Sequence, residues 1–258
     1  YRNLGSIFLD KFSQKFLRKE QWVLLLKSLD QRDDSSELPL SFAEYLEISP
    51  PADCFWADPF VITEDNRHYV FFEELPFATE VGHLSCMEVF SDGSYTKPKI
   101  ILKKSYHLSY PNVFRYESDY YMIPESGDSG FISLYRCTEF PYQWEHHCDL
   151  MKGLHAYDST LHHHNGLWWL FACVAAEKGM SGNEELHLFY AETPLSRTWI
   201  AHPLNPIISD ASKARPAGQL FEKNGYLYRP SQDCAGSYGA GLNINRIKTL
   251  DKQCYVEE

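Results

Sequence analysis

Two aspartates in this chain stand in matching local settings. Asp58 lies in Trp-Ala-Asp-Pro-Phe (56–60) and Asp158 in Tyr-Asp-Ser-Thr-Leu (157–161). Each comes three residues before an aliphatic, Val61 or Leu161, that opens a short apolar strand pattern. Glu125, in Met-Ile-Pro-Glu-Ser, and Glu73, in Phe-Phe-Glu-Glu, close such patterns. Carboxyl groups brought together from separate elements suit glycosidic-bond chemistry: one serves as base or nucleophile while another, with a raised pKa, serves as acid. Asp58, Asp158 and Glu125 are therefore the candidate catalytic set. Each also has a plainer reading. An Asp before Pro often forms a turn, Asp158 could bind the amides of Ser159 and Thr160, and Glu125 could end an exposed strand. The matched settings of the two aspartates favour chemistry.

The elements that must position these groups are internal repeats. Residues 56–74, 109–126, 156–173 and 214–233 each read as a polar opening, a short apolar strand, a polar turn and an aromatic-rich strand. Their anchors, Val61, Val113, Leu161 and Leu220, recur about every fifty residues, the signature of a β-propeller with one blade per repeat. Asp58, Tyr110, Asp158 and Ala217 fall at equivalent openings, and Glu73, Glu125, Cys173 and Gln232 at equivalent closings. Asn165-Gly166 and Asn224-Gly225 are strong hairpin signals, with Asp65-Asn66 and Ser118-Asp119 in the corresponding turns.

The expected fold is all-β, a five-bladed propeller over residues 21–258. Outer strands are expected at 83–90, 132–136 and 186–191. The fifth blade would join a strand at 21–27 to the C-terminal strand at 241–250, with four blades and a terminal hairpin as the alternative. Apolar residues at helical spacing predict a helix within a separate extension, residues 1–20. Residues 31–37 are polar and predict a loop.

First strands of propeller blades line the central channel, so residues at their openings meet at one mouth. Trp56, Glu73, Tyr110 and His155 are candidates to line a sugar site there. The fourth repeat supplies Arg215, Gln219, Arg229, Gln232 and Asp233 instead of the acids. The two arginines either clamp a carboxylate or phosphate of a ligand or pair with Asp58, Asp158 or Glu125. Consecutive strand residues face opposite ways, so His162, His163 and His164 cannot share an ion and read as a surface turn. No metal or cofactor is expected.

Composition narrows the field. A net charge of −11 without a long basic run argues against nucleic acid or anionic membrane as partner. No apolar run reaches the ~20 residues of a transmembrane helix. Seven cysteines without a CxxC pair suit reduced thiols and a cytoplasmic setting, where the chain could sit beside a membrane glycan-assembly site.

The motifs WADPF, SYPNVF, MIPES, YDSTLH, RPAGQLF and YRPSQD together resemble the N-terminal propeller domain of plant glucosamine inositolphosphorylceramide transferases and their bacterial relatives. That domain is similar in turn to the five-bladed propellers of arabinanases, xylosidases and invertases. The resemblance implies a blade-one Asp as base or nucleophile, a second Asp that tunes pKa and a Glu as general acid. Asp58 and Asp158 match the first two. Glu125 closes a second strand instead of opening a later blade, and Arg215-Pro216 occupies the blade-four opening, which argues against plain hydrolysis. The expectation is a carbohydrate-active propeller in glycan or glycolipid assembly, most naturally a glycosyltransferase component acting on a nucleotide-sugar or phosphorylated sugar. A non-catalytic glycan-binding module attached to a transferase and an arabinanase-type hydrolase are the alternatives.

Overall fold

The computed structural model describes residues 21–27 and 45–258. The helix expected within residues 1–20 and the loop at 31–37 lie outside them. Blade one is the antiparallel sheet β3 (Cys54–Glu64), β4 (Arg67–Pro76), β5 (His83–Val89) and β6 (Lys99–Leu102). Blade two follows with β7 (Ser109–Tyr116), β8 (Asp119–Glu125), β9 (Phe131–Glu139) and β10 (Gln143–Lys152). In blade three β11 (His155–His164) and β12 (Leu167–Ala175) precede β13 (Glu185–Ala191), which pairs with both β14 (Ile200–Ala201) and β15 (Ile208–Ser209). Blade four comprises β16 (Phe221–Lys223), β17 (Tyr226–Asp233), β18 (Gly241–Leu250) and β19 (Tyr255–Glu257).

The chain is thus an all-β propeller, and its described residues form four blades where five were expected. The C-terminal strand does not reach back to the N-terminal one. Instead β18 pairs with β17 over seven residues, and β19 completes that blade. The N-terminal strand, β1 (Leu24–Leu26), pairs with β2 (Leu46–Ile48) as a separate two-stranded sheet. That sheet touches blades one and four: the Trp22 carbonyl accepts from the Trp56 N–H, and the Trp22 ring lies against Gly239.

Apolar residues on facing blade surfaces form the core. Phe60, Phe71, Leu84, Val113 and Met122 join blades one and two, and Phe171, Leu188, Leu220, Leu227 and Ile247 join blades three and four. Leu24, Ile48, Trp56, Val70 and Phe72 hold the β1–β2 pair against blade one. The anchor Val61 is 48% exposed among the described residues. Val113, Leu161 and Leu220 are buried.

The hairpin turns have positive φ at both central residues for Asp65-Asn66, Asn165-Gly166 and Asn224-Gly225, matching the right-handed strand twist. In blade two the turn comes one residue earlier than expected, at Glu117-Ser118, with φ of 55° at Glu117.

Candidate functional site

The repeated openings are β-bulges. Between the pairs Ala57–Glu73 and Phe60–Phe71, Asp58 and Pro59 oppose Phe72 alone. Tyr110 and Pro111 likewise oppose Pro124, and Asp158 and Ser159 oppose Ala172. The first residue of each bulge lies in the left-handed region, with φ of 52°, 45° and 52° for Asp58, Tyr110 and Asp158. Such a conformation costs a non-glycine residue about 1–3 kcal/mol and is characteristic of functional positions. A bulge re-aims the side chain of its strand. Glu73, Glu125 and Cys173 pair with the residue just before each bulge, which is why the openings and closings of the repeats match.

A cavity of about 590 Å³ opens where these bulges meet. Asp58, Glu73, Glu125, Arg215 and Gln232 line it, along with His107. Trp56 and Tyr110 contribute to the wall, and Trp22, Tyr238 and Leu242 give it an apolar side. Asp158 lies beneath Arg215 and is only 1% exposed. It accepts from Arg215 Nε at 2.6 Å and Nη2 at 3.3 Å, and from Gln232 Nε2 at 3.3 Å. Arg215 Nη1 donates to Asn183 Oδ1 at 2.8 Å, and the guanidinium lies 5.1 Å from the centre of the Tyr238 ring.

The carboxyls differ in what surrounds them. Burial and then the charges of Asp158 and Glu73 hold Asp58 well above the usual carboxylate range, with Arg215 pulling the other way. Asp58 does keep some exposed surface, but it opens onto the cavity. Burial also pushes Asp158 up, and Arg215 opposes through charge and hydrogen bonds. Since Asp158 has the cation bound directly, Asp58 is the member of this repelling pair that takes up the proton. Glu125 is 8% exposed and is raised by burial and by Asp158. It accepts from Ser109 Oγ and from the Gly127 N–H, each at 2.6 Å, and both bonds favour its ionised form.

Several of the candidate site residues have partners within the frame. Arg229 is 1% exposed and bound to Glu257 at 2.9 and 2.7 Å and to the Lys213 carbonyl, so it takes the pairing role with a partner the repeats did not suggest. Gln219 spans from blade four to blade two, donating to the Val113 carbonyl at 3.0 Å. The Tyr110 hydroxyl accepts from the Gly218 N–H and bonds Thr160 Oγ1, each at 2.7 Å, tying three blades together. Asp233 caps its own turn by accepting from the Ala235 N–H at 3.0 Å. His155 Nδ1 lies 2.9 Å from the Gly127 carbonyl, behind the turn that holds Glu125. Glu73 faces the cavity and Glu74 the opposite side of blade one, where it meets His83 and Ser85. The rings of His162 and His164 stack on each other 6.3 Å apart, and among the described residues no three His, Cys, Asp or Glu side chains gather as a metal set.

His107, Tyr238 and Asn183 belong to the site but had no repeat to mark them, since they come from connections between the repeated hairpins. The only signal for His107 was its place two residues before the second repeat.

Blades, bulged inner strands and a carboxyl-lined cavity define the class: an all-β propeller with its candidate site where the bulged strands meet. Among solved structures the chain is similar to Zg3597, a family 117 glycoside hydrolase from Zobellia galactanivorans, with a TM-score of 0.61 and 13% identity over 92% of this chain and 73% of that one. It is also similar to the α-L-arabinanase of Cellvibrio cellulosa, with a TM-score of 0.55 and 12% identity over 79% of this chain and 77% of that one. Likeness at this identity concerns the fold. The chain belongs to the family described as glucosamine inositolphosphorylceramide transferase 1, N-terminal, whose model matches residues 38–258. It is 40% identical over 207 residues to the glucosamine inositolphosphorylceramide transferase 1 of Oryza sativa subsp. japonica, covering 79% of this chain and 27% of that protein. The Arabidopsis thaliana protein of the same name is 35% identical over 206 residues, with the same coverage of 79% and 27%. The chain therefore spans about a quarter of the length of these curated relatives.

Proposed function

We propose that the cavity binds a sugar residue bearing no net negative charge and serves glycosyl transfer in glycan or glycolipid assembly. The observation that carries this reading is the commitment of Arg215 to Asp158 while Asp58, Glu73 and Glu125 face the opening. A phosphorylated sugar would meet an excess of carboxylates, with the only guanidinium on the wall among the described residues already neutralised. A neutral sugar offers hydroxyls to the same acids, and an amino sugar offers an ammonium. The relatives' name includes glucosamine, an amino sugar, which fits such a site.

In this reading Asp58 exchanges a proton with a bound hydroxyl. It donates while protonated and, once ionised, acts as base toward that hydroxyl. Glu125, steadied by Ser109 and Gly127, is its partner on the next blade, and Asp158 fixes Arg215 and tunes Asp58 by its charge. The aromatic faces of Trp22 and Tyr238 supply stacking area at the mouth. A second reading, a glycan-binding module without turnover, draws support from the share of the relatives' length outside this chain.

A screen of nucleotide sugars and aryl glycosides, with products detected by mass spectrometry, separates the two. Turnover that Asp58→Asn abolishes while sugar affinity persists supports the enzyme. Sugar binding with no turnover of any substrate supports the module, and binding of no sugar at all removes both.

A further inference from the structure

One ionisable side chain on the cavity wall plays no part in the function just proposed. His107 lies between β6 and β7, with 34% of its side chain exposed. Its Nδ1 accepts from the backbone N–H of Gly82 at 3.1 Å, so the neutral ring carries its proton on Nε2. Nε2 lies 3.0 Å from Glu73 Oε1. Glu73 is 5% exposed and lines the same cavity as Asp58.

The surroundings make this a built contact. A Cβ at position 82 would stand 2.6 Å from Glu73 Oε1, 2.8 Å from His107 Cε1 and 2.8 Å from the Leu108 carbonyl oxygen. Only glycine fits there. The Leu108 N–H in turn donates to the Gly82 carbonyl at 3.0 Å, so the two loops hold each other and press the imidazole toward the carboxylate. The charged groups acting on His107 are Glu73 from β4, Glu125 from β8 and Asp58 from β3, all acidic. Burial disfavours the imidazolium, but Glu73, followed by the other two acids, outweighs it and raises the ring above its usual range.

We propose that His107 is a positioning residue for the acid cluster, orienting Glu73 and thereby setting the pH at which Asp58 releases its proton. The link rests on geometry shared by three loops and strands. Only its consequence for the ligand depends on the sugar-site reading.

The test is an NMR titration of the whole chain with ¹³C-labelled Asp and Glu carboxyls and ¹⁵N-labelled imidazoles, the Asp58 signal being assigned from Asp58→Asn. At high pH the neutral His107 ring is expected as the Nε2–H tautomer. His107→Leu removes a donor, and a positive charge when the ring is protonated, from beside the acids. The Asp58 midpoint then moves to higher pH by roughly half a unit or more. His107→Gln, whose amide can still donate to Glu73, brings the midpoint part of the way back. A loss of packing alone would not produce that ordering. An Asp58 midpoint unmoved in folded His107→Leu overturns the proposal. Should that variant fail to fold, the wild-type tautomer and His107→Gln decide: an Nδ1–H ring, or a Gln midpoint identical to wild type, overturns it. A shifted midpoint in a chain that binds no sugar leaves this coupling standing and removes only the function proposed above.

Discussion

Arg215 reaches the cavity with its charge already matched by Asp158, which receives two of its N–H donors at 2.6 and 3.3 Å. Both residues are buried, at 8% and 1% exposure. Breaking such a pair by removing one charge typically costs about 3–5 kcal/mol. Asp158→Asn, which keeps the shape, is therefore expected to lower thermal stability substantially and to release the guanidinium toward the cavity. Affinity for a sugar phosphate relative to the parent sugar should rise about tenfold, which is ~1.4 kcal/mol. Thermal unfolding and calorimetric titration read the two effects separately.

Asp58 makes the opposite prediction for stability. Its folded pKa lies above the unfolded value, so the folded chain binds more protons than the unfolded chain between those two values. Stability contributed by this group is greatest at low pH and declines as pH rises from about 4 through the raised folded value. Asp58→Asn removes that decline. The variant should be at least as stable as the parent at pH 7 and show a flatter dependence of melting temperature on pH, while any turnover is lost. A marked destabilisation at pH 7 would mean that the ionised carboxylate holds the bulge together.

Arg229 gives a contrasting control. It is buried against Glu257 and two backbone carbonyls away from the cavity, so Arg229→Ala should cost about 3–5 kcal/mol in chemical denaturation. Sugar affinity of the folded fraction should stay within about twofold. A selective loss of affinity would assign this guanidinium to the ligand after all.

Tyr110→Phe removes one hydroxyl that joins three blades. The Thr160 hydroxyl keeps the Asp158 carbonyl and the Gly218 N–H lies on the half-buried cavity wall, so the cost is that of one lost tie, about 0.5–1.5 kcal/mol. The melting temperature should fall, and the pH dependence associated with Asp58 should persist.

Much of this arrangement was legible in the chain because the repeats encode it twice, in the turn residues and in the apolar alternation. The spacing that made Asp58, Tyr110 and Asp158 equivalent reflects three bulges with nearly the same φ. Equivalence of position did not mean equivalence of role. The same bulge aims Asp58 at the cavity, buries Asp158 under Arg215 and turns Tyr110 into a tie between blades. Those outcomes depend on neighbours brought from about fifty or more residues away, which local pattern does not contain. The frame partners of Arg229 and Gln219 were illegible for the same reason: Glu257 and the Val113 carbonyl belong to other strands. The blade count also turned on a non-local choice: β18 was expected to close a fifth blade with the N-terminal strand and instead extends the fourth.

The central claim is that the cavity selects its sugar by charge, and one calorimetric experiment meets it directly. The whole chain at pH 7 is titrated with glucosamine, N-acetylglucosamine and glucosamine 6-phosphate, alongside Asp58→Asn. The account predicts binding of the two sugars without phosphate, by the parent and by the variant alike, and exclusion of the phosphate. Binding of glucosamine 6-phosphate as tight as or tighter than that of glucosamine would contradict it.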